Sequence, residues 1–596
     1  MMDSHGSLQG PDYAMIAGYF ILMLGIGMYF YRYMRGIKDY FSGGNNIPWW
    51  LSGVSFYMSS FSAFAFISYS SLCYRFGWVG ITLLWVAIPA TLFSTLLLAR
   101  KWRRARIDSP LEYLEIRYSG ALRQLFTWQG VPVKIIDDAL KLVAIGTILK
   151  VVTGFDMTVS MLSAGGIMLL YTFMGGLWAV AVTDFIQFIV LTVAIVIMFP
   201  LAFYRAGGIT TVFNEAPEGF LNLTTAEYGW GYVVFLVVMY SLAWSSINWS
   251  LIQRYYCVPR ERDAIKVGLT VIVLYIIGPP LMFLPAMAAT RILPPLVDAG
   301  DVYPRLCAAL LPAGMLGLVV AAMFAATMSM LSSDYNVSAN VLTNDVYRRL
   351  LRPTASDREL VLVGRITTLL VGILAMAVAL VIARGKGEDL FNKMVSLFSV
   401  ATAPVAIPMI LGLLSKHFTA RSALWGFLAG SAAGVTLFAF TQLITSPYEF
   451  YRFQWIPTSS EFAVFDFKLK IDDMTIFICT ATVTLLVMIL KTMQRPMRLT
   501  EKENVYSFFD KLTIPIGMLP EDRQQAASVT PISPFRIVGI SLAAIGVMMI
   551  AILPWLGDWF TVGLNGGIAL LLLVVGLLMA WPRRSKHIPE EDAAAL

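Results

Sequence analysis

An all-α polytopic membrane protein is the fold class that the sequence predicts, and three observations predict it. Of the 596 residues, 58% are apolar and only 14% are charged, against about 45–50% and about 25% in ordinary soluble domains. Mean hydropathy is +0.71, too high for a core that a polar surface must cover, so the excess faces lipid. Apolar runs of about 20 residues, the length of a membrane-crossing helix, recur along the whole chain, which excludes a signal peptide or lone tail anchor as their explanation. Lys and Arg also gather in alternate connecting loops, as cytoplasmic loops require.

About 15 spans follow from that length rule: 12–31, 48–71, 77–99, 131–153, 157–176, 178–204, 229–252, 265–290, 306–346, 361–383, 390–414, 422–443, 474–491, 535–554 and 561–581. The 306–346 stretch is too long for one simple crossing and should extend beyond the bilayer or carry an adjacent short helix. With the N-terminus outside, the inner loops hold Arg32, Arg35 and Lys38, the run from Arg100 to Arg106, Arg254 to Lys266, Arg348 to Arg358, Lys416 and Arg421, and the 492–533 segment. The tail 583–596, with Arg583, Arg584 and Lys586, is inside too, and the outer loop 206–228 has no Lys or Arg. This bias predicts a multi-pass plasma (inner) membrane protein with its C-terminus cytoplasmic.

The net charge of +7 is therefore a topology signal and not a nucleic-acid footprint. The four cysteines lie far apart and the three histidines sit in polar segments, which argues against a zinc site or an intramembrane His centre. No soluble domain of useful size and no P-loop is found, so a pump driven by its own ATP hydrolysis is not expected. An ion gradient drives the protein, or it is passive. The partners implied are the lipid bilayer and a small polar solute; nothing calls for an obligate protein partner.

Polar residues inside the spans locate the chemistry. Ser55, Ser59, Ser60 and Ser62, with Gly53, crowd the second span, as in an interrupted helix or a tight helix seam. An unwound turn there frees carbonyls such as those of Met58 and Phe61, which are Na+ ligands when they line a cavity. Ser329, Ser332 and Ser333 stand at i, i+3, i+4, three hydroxyls on one helical face; they read as part of a cation shell or as a serine seam. Asp184, between Thr183 and Gln187, is an ionisable group at membrane depth and so a functional candidate, either for a cation or for a basic neighbour. In the fourth span Asp137, Asp138, Lys141 and Lys150 are candidates for burial. Lys141 is placed to pair internally with Asp137 and Asp138, unless one of these charges faces the solute. Asp334 raises the same question. Ser241, Trp244 and Asn248, mid-span, combine aromatic and amide groups that suit a solute pocket, or plain packing.

These pieces stand in a familiar order. GGNNIPWW, SPLEYLEIRY, VTGF, GGLWAVAVTDFIQ, the Gln253–Arg254 pair, LTNDVYRR and the Gly364–Arg365 pair together resemble the sodium:solute symporter family, over about residues 12–490. The resemblance implies a LeuT-like fold: two inverted five-helix repeats at 48–206 and 229–414, preceded by one extra helix within 1–32. About four further helices would follow, two at 422–491 and two at 535–582, across the cytoplasmic loop 492–533. It implies Na+ as coupling ion and a solute site near the midplane, for which the candidates are Ser62, Asp137, Lys141, Ser241, Trp244 and Asn248. A common Na+ site would use carbonyls of Met58, Phe61 and Ala326 and hydroxyls at 329 and 330; Ser329 is present, but Met330 offers only a thioether, a poor Na+ ligand. A second site would use Asp184, Ser329, Ser332 and Ser333. The basic residue that anion carriers of the family place early in the third core helix falls on Asp137 here. The function expected is secondary active symport of a small polar organic solute with Na+. A proton-coupled carrier of the same fold, or a transporter-like sensor, is the alternative; enzyme chemistry is not expected.

Overall fold

The computed structural model describes residues 8–31, 43–107, 109–174, 177–384, 390–443, 472–520, 522 and 534–581. The 32–38 loop, nearly all of the outer segment 444–472, the end of the 492–533 loop and the tail 583–596 lie outside the described residues. Among those described, the regular structure is all helical.

The first span is α1 (Gly10–Tyr31). The second is two helices, α2 (Trp49–Met58) and α3 (Ala63–Phe76), bent by 60° at the serine-rich turn. The cause is local competition for backbone bonds: the Ser60 hydroxyl donates to the Tyr57 carbonyl at 2.6 Å. The first free N–H of α3, on Ala63, donates to Thr327 Oγ1 at 2.8 Å, so the exposed helix start is satisfied from another element. Then come α4 (Val79–Leu97), α5 (Gly120–Thr153), α6 (Met157–Met174) and α7 (Leu177–Arg205).

The break recurs five spans later. Helices α8 (Trp230–Trp244) and α9 (Trp249–Tyr256) are bent by 59°, with the Ser246 hydroxyl donating to the Leu242 carbonyl at 2.6 Å. The end of α9 docks on the start of α2: Ser52 Oγ donates to the Arg254 carbonyl at 2.8 Å and Asn45 Nδ2 to that of Tyr256 at 2.7 Å. Helices α10 (Glu261–Ile292), α11 (Met315–Val341), α12 (Asp357–Arg384) and α13 (Leu390–Leu414) complete the second set. The overlong 306–346 stretch resolves both ways: a short helix Val302–Leu310 precedes a break at Leu311–Gly314, and α11 runs on helically to Leu351. Every residue of α11 is buried except Met330.

Helices α14 (Ala420–Leu443), α15 (Asp473–Gln494), α17 (Pro534–Ile552) and α18 (Trp559–Ala580) follow. By length and hydropathy the described residues hold 13 crossings, each bent pair counted as one; the expected fifteen also counted α5 and α6, which fall outside that number. Helix α5 carries more charge than a lipid-facing span tolerates, and Lys134, Asp137, Asp138 and Lys141 are buried inside the bundle. Within the 492–533 loop, α16 (Leu499–Thr513) buries Val505, Phe508, Phe509 and Leu512, and Phe508 stacks on Tyr113. The EYLEIRY motif proves to be a clamp on the end of α13. Arg117 donates to the carbonyls of Gly412, Ser415 and Phe418 at 2.8–3.2 Å, filling the free carbonyls of a helix end. Beside it, hydrogen bonds from Arg349 hold the Glu115 carboxyl below the usual range.

Helix α1 is fastened to α11. Asp12 Oδ1 accepts from the backbone N–H of Gly314 at 2.6 Å and of Gly317 at 2.8 Å, a carboxylate on a helix N-terminus. A Cβ at Gly317 would meet the Asp12 backbone oxygen at 2.5 Å, and a backbone cannot step aside as a side chain can. Gly317→Val is therefore expected to lower the melting temperature of the purified protein by several degrees, at an overpacking cost of about 1–3 kcal/mol. An unchanged melting temperature would show that the contact contributes nothing.

Candidate functional site

The first break, α7, α9 and α11 enclose Asp184. The carboxylate is fully buried on α7. Its Oδ2 accepts from Ser55 Oγ on α2 and lies 3.7 Å from the Arg254 guanidinium of α9. Arg254 also donates to Ser55 Oγ at 2.8 Å, Ser59 Oγ at 3.3 Å and Ser333 Oγ at 2.9 Å. Ser329 of α11 faces the same carboxylate. Asp184 Oδ1 and Ser329 Oγ are buried and have no hydrogen-bond partner among the described residues. The two groups lie close enough to interact with each other but make no short hydrogen bond, a costly arrangement away from water, and hard oxygens are the donor set that suits Na+. The residues present therefore fit the ion.

Of the residues named from sequence for this site, Asp184, Ser329 and Ser333 come together. Ser332 does not reach the carboxylate in any described contact; its hydroxyl donates to the Ser329 carbonyl at 3.1 Å, one turn back along the helix. For the common site, Met58 and Phe61 flank the break as expected, but the Met58 carbonyl accepts the Phe61 N–H at 3.2 Å, so the turn keeps it partly for itself. Ala326 is buried in α11. The Met330 side chain points into the central cavity.

That cavity is lined from both breaks and has a volume of about 70 Å3, room for a few water molecules and well below the roughly 300–1,000 Å3 of an open small-molecule site. Ser59, Ser60, Ser62, Asn248 and Ser250 supply polar atoms; Tyr69, Tyr240, Trp244 and Tyr275 supply aromatic faces; Asp137 and Lys141 bring charge. Five of the six candidate solute residues line it. Ser241 is the correction: its hydroxyl donates to the Val237 carbonyl at 2.6 Å, because the cavity face of α8 is Met239, Tyr240, Ala243 and Trp244 and Ser241 sits off that register.

Beside the cavity is a buried charge network. Lys141 Nζ donates to Asp138 at 2.8 Å, Asp137 at 2.9 Å and Asp334 at 2.7 Å. Lys134 Nζ donates to Asn248 Oδ1 at 2.9 Å, Asp334 at 3.3 Å and Asp137 at 3.5 Å. The two readings of the fourth span hold together: its charges pair internally, and Asp137 and Lys141 also face the cavity. Lys150 is exposed and lies outside the network. Lys134 was not foreseen, although its spacing of three to Asp137 and seven to Lys141 places all three on one face. It also qualifies the expected Asp137 substitution, since a basic residue stands one turn before it. Arg254 was read as part of a motif and a loop charge, when it is a buried partner of Asp184.

The sequence pattern of the sodium:solute symporter family matches residues 40–430. The chain belongs to that family. A sodium/sialic acid symporter of Proteus mirabilis is 25% identical over 71% of this chain and 88% of its own length. A sodium/mannose cotransporter of Bos taurus is 29% identical over 71% of this chain and 78% of its own. A solved Na+-coupled sialic acid symporter, substrate-bound and outward-open, covers 82% of this chain and 98% of its own at 21% identity, with a TM-score of 0.69. This family member thus has the LeuT-like fold expected, with α2/α3 and α8/α9 as the broken first helices of its two repeats. It is a sodium-coupled membrane transporter and not an enzyme.

Proposed function

We propose that the protein takes up a small polar organic solute together with Na+ by alternating access, from outside to cytoplasm across the plasma membrane. The observation that carries this is the buried pair of unpartnered oxygens on Asp184 and Ser329, one wall away from the aromatic and hydroxyl-lined cavity. Na+ binds at Asp184, Ser329 and Ser333, with Ser332 behind them, and the solute binds among Ser62, Asp137, Lys141, Trp244 and Asn248. Ser59 joins the two, since it lines the cavity and also touches Arg254 and Ser333. An ion that draws α2, α7 and α11 together thereby shapes the solute pocket, and rocking of one bundle against the other exposes both sites to the inside.

One charge crossing 100 mV contributes about 2.3 kcal/mol and a tenfold Na+ gradient about 1.4 kcal/mol. Together they sustain a roughly 500-fold accumulation of a neutral solute per ion. The relatives' solutes, sialic acid and mannose, support polyhydroxylated compounds as the first class to test. A thermal-shift screen of purified protein against sugars, polyols, sugar acids and amino acids, with Na+ or K+, tests the reading. A solute that stabilises only with Na+ is the expected result. Stabilisation indifferent to Na+, with uptake following the pH gradient, selects the proton-coupled alternative.

Met330 gives a second test. Met330→Ser restores a hydroxyl to the common Na+ site and is expected to lower severalfold the Na+ concentration for half-maximal uptake. An unchanged Na+ response would remove that site from the cycle.

A further inference from the structure

The network on α5 has three carboxylates, Asp137, Asp138 and Asp334, and two ammoniums, Lys134 and Lys141, all nine-tenths or more buried. Ionised throughout, it carries one uncompensated negative charge. Its donors are spent: Lys141 makes three hydrogen bonds and so does Lys134. Among the described residues Asp138 Oδ2 nevertheless has no hydrogen-bond partner, whereas Asp334 also meets the Ser250 hydroxyl. The shortfall falls unevenly. Asp137 and Asp334 each accept from both lysines, whereas Asp138 accepts from Lys141 alone and is fully buried.

We propose that the network binds one proton, on Asp138. The proton removes the excess charge and turns an orphaned acceptor into a donor. A buried unpaired charge is otherwise among the costliest groups in a protein. An alkali ion in the same place would have to displace Lys141, whose ammonium already occupies the centre of the three carboxylates at 2.7–2.9 Å. The charges acting on Asp138 are Lys141, Asp334, Asp137 and Lys134; the Tyr335 phenol of α11 adjoins the cluster, and α9 with the turn before it brings the neutral Asn248 and Ser250. Neither α6 nor the 366–383 part of α12 contains a charged residue, and in α3 the charge is at the far end, on Arg75. Asp137 and Lys141 border both the cluster and the cavity, so a solute bonded to either one alters the donors left for Asp138, and solute affinity becomes pH-dependent. That consequence rests on the cavity being the solute site; the bound proton does not.

Infrared spectra of the full chain in liposomes, with carboxyl-labelled aspartate and no solute or Na+, test the proton itself. At neutral pH a label-sensitive band of a protonated carboxyl is expected, lost in Asp138→Asn and kept in Asp184→Asn. Its absence from the wild type, or its survival in Asp138→Asn, would overturn the proposal, as would its loss in Asp184→Asn. Melting temperatures give an independent readout. Exchange of a neutral acid for a neutral amide in Asp138→Asn should shift the melting temperature much less than Asp334→Asn, which removes a charge that two lysines share. The reverse order would also overturn it. If Asp138→Asn does not fold, Asp138→Glu, which keeps the carboxyl but not the aspartate label, should lose the label shift, and its survival there would overturn the proposal. None of these measurements uses Na+ or solute, so their failure leaves the symport reading standing.

Discussion

Asp184→Asn is expected to raise the Na+ concentration for half-maximal uptake by about tenfold or more, a loss of at least 1.4 kcal/mol of ion binding. The amide keeps the shape and an acceptor oxygen but removes the only formal charge among the proposed ligands. The same change leaves Arg254 buried without its counter-ion, and breaking such a pair costs about 3–5 kcal/mol, so abundance and melting temperature must be measured alongside. Replacing Arg254 as well, in Asp184→Asn/Arg254→Gln, should recover stability, because both charges are then gone, but not Na+ affinity. If the double variant recovers both, or if the single variant shows the wild-type Na+ response, Asp184 serves Arg254 and not the ion.

Lys141→Met is expected to be the most destabilising single change in the transport core. It leaves three buried carboxylates facing Lys134 alone and deletes three hydrogen bonds of 2.7–2.9 Å. Removing one partner from a buried ionic set costs about 3–5 kcal/mol, a large share of the 5–15 kcal/mol that holds a typical domain folded. The measurement is the yield of monodisperse protein and its melting temperature in detergent. Lys141→Arg keeps the charge but not the compact ammonium, and should fall between wild type and Lys141→Met. A melting temperature for Lys141→Met within a degree of wild type would mean that the network does not hold α5 to α11.

The spans were legible because crossing a bilayer imposes a length on every helix, and loop charge gave their expected direction. The breaks were legible too, since serines clustered mid-span compete with the backbone that they interrupt. What escaped was the pairing of distant residues. Asp334 and Lys141 are 193 positions apart and Ser55 and Arg254 are 199 apart, and no local period reports such contacts. Arg254 was concealed by its position at a span end, where a basic residue reads as a loop charge. Ser241 was misplaced for the opposite reason: its neighbours line the cavity, but one residue of helix turns the side chain by about 100°, enough to point it elsewhere.

The Asp12 carboxylate that seats on Gly314 and Gly317 has a mechanical corollary. A hydrogen-bonded junction with no clearance for even a methyl group cannot slide, so α1 and α11 form one lever. A tilt of the serine-bearing helix during the cycle carries the N-terminal span with it, and the work of displacing the lipid around that span becomes part of each turnover.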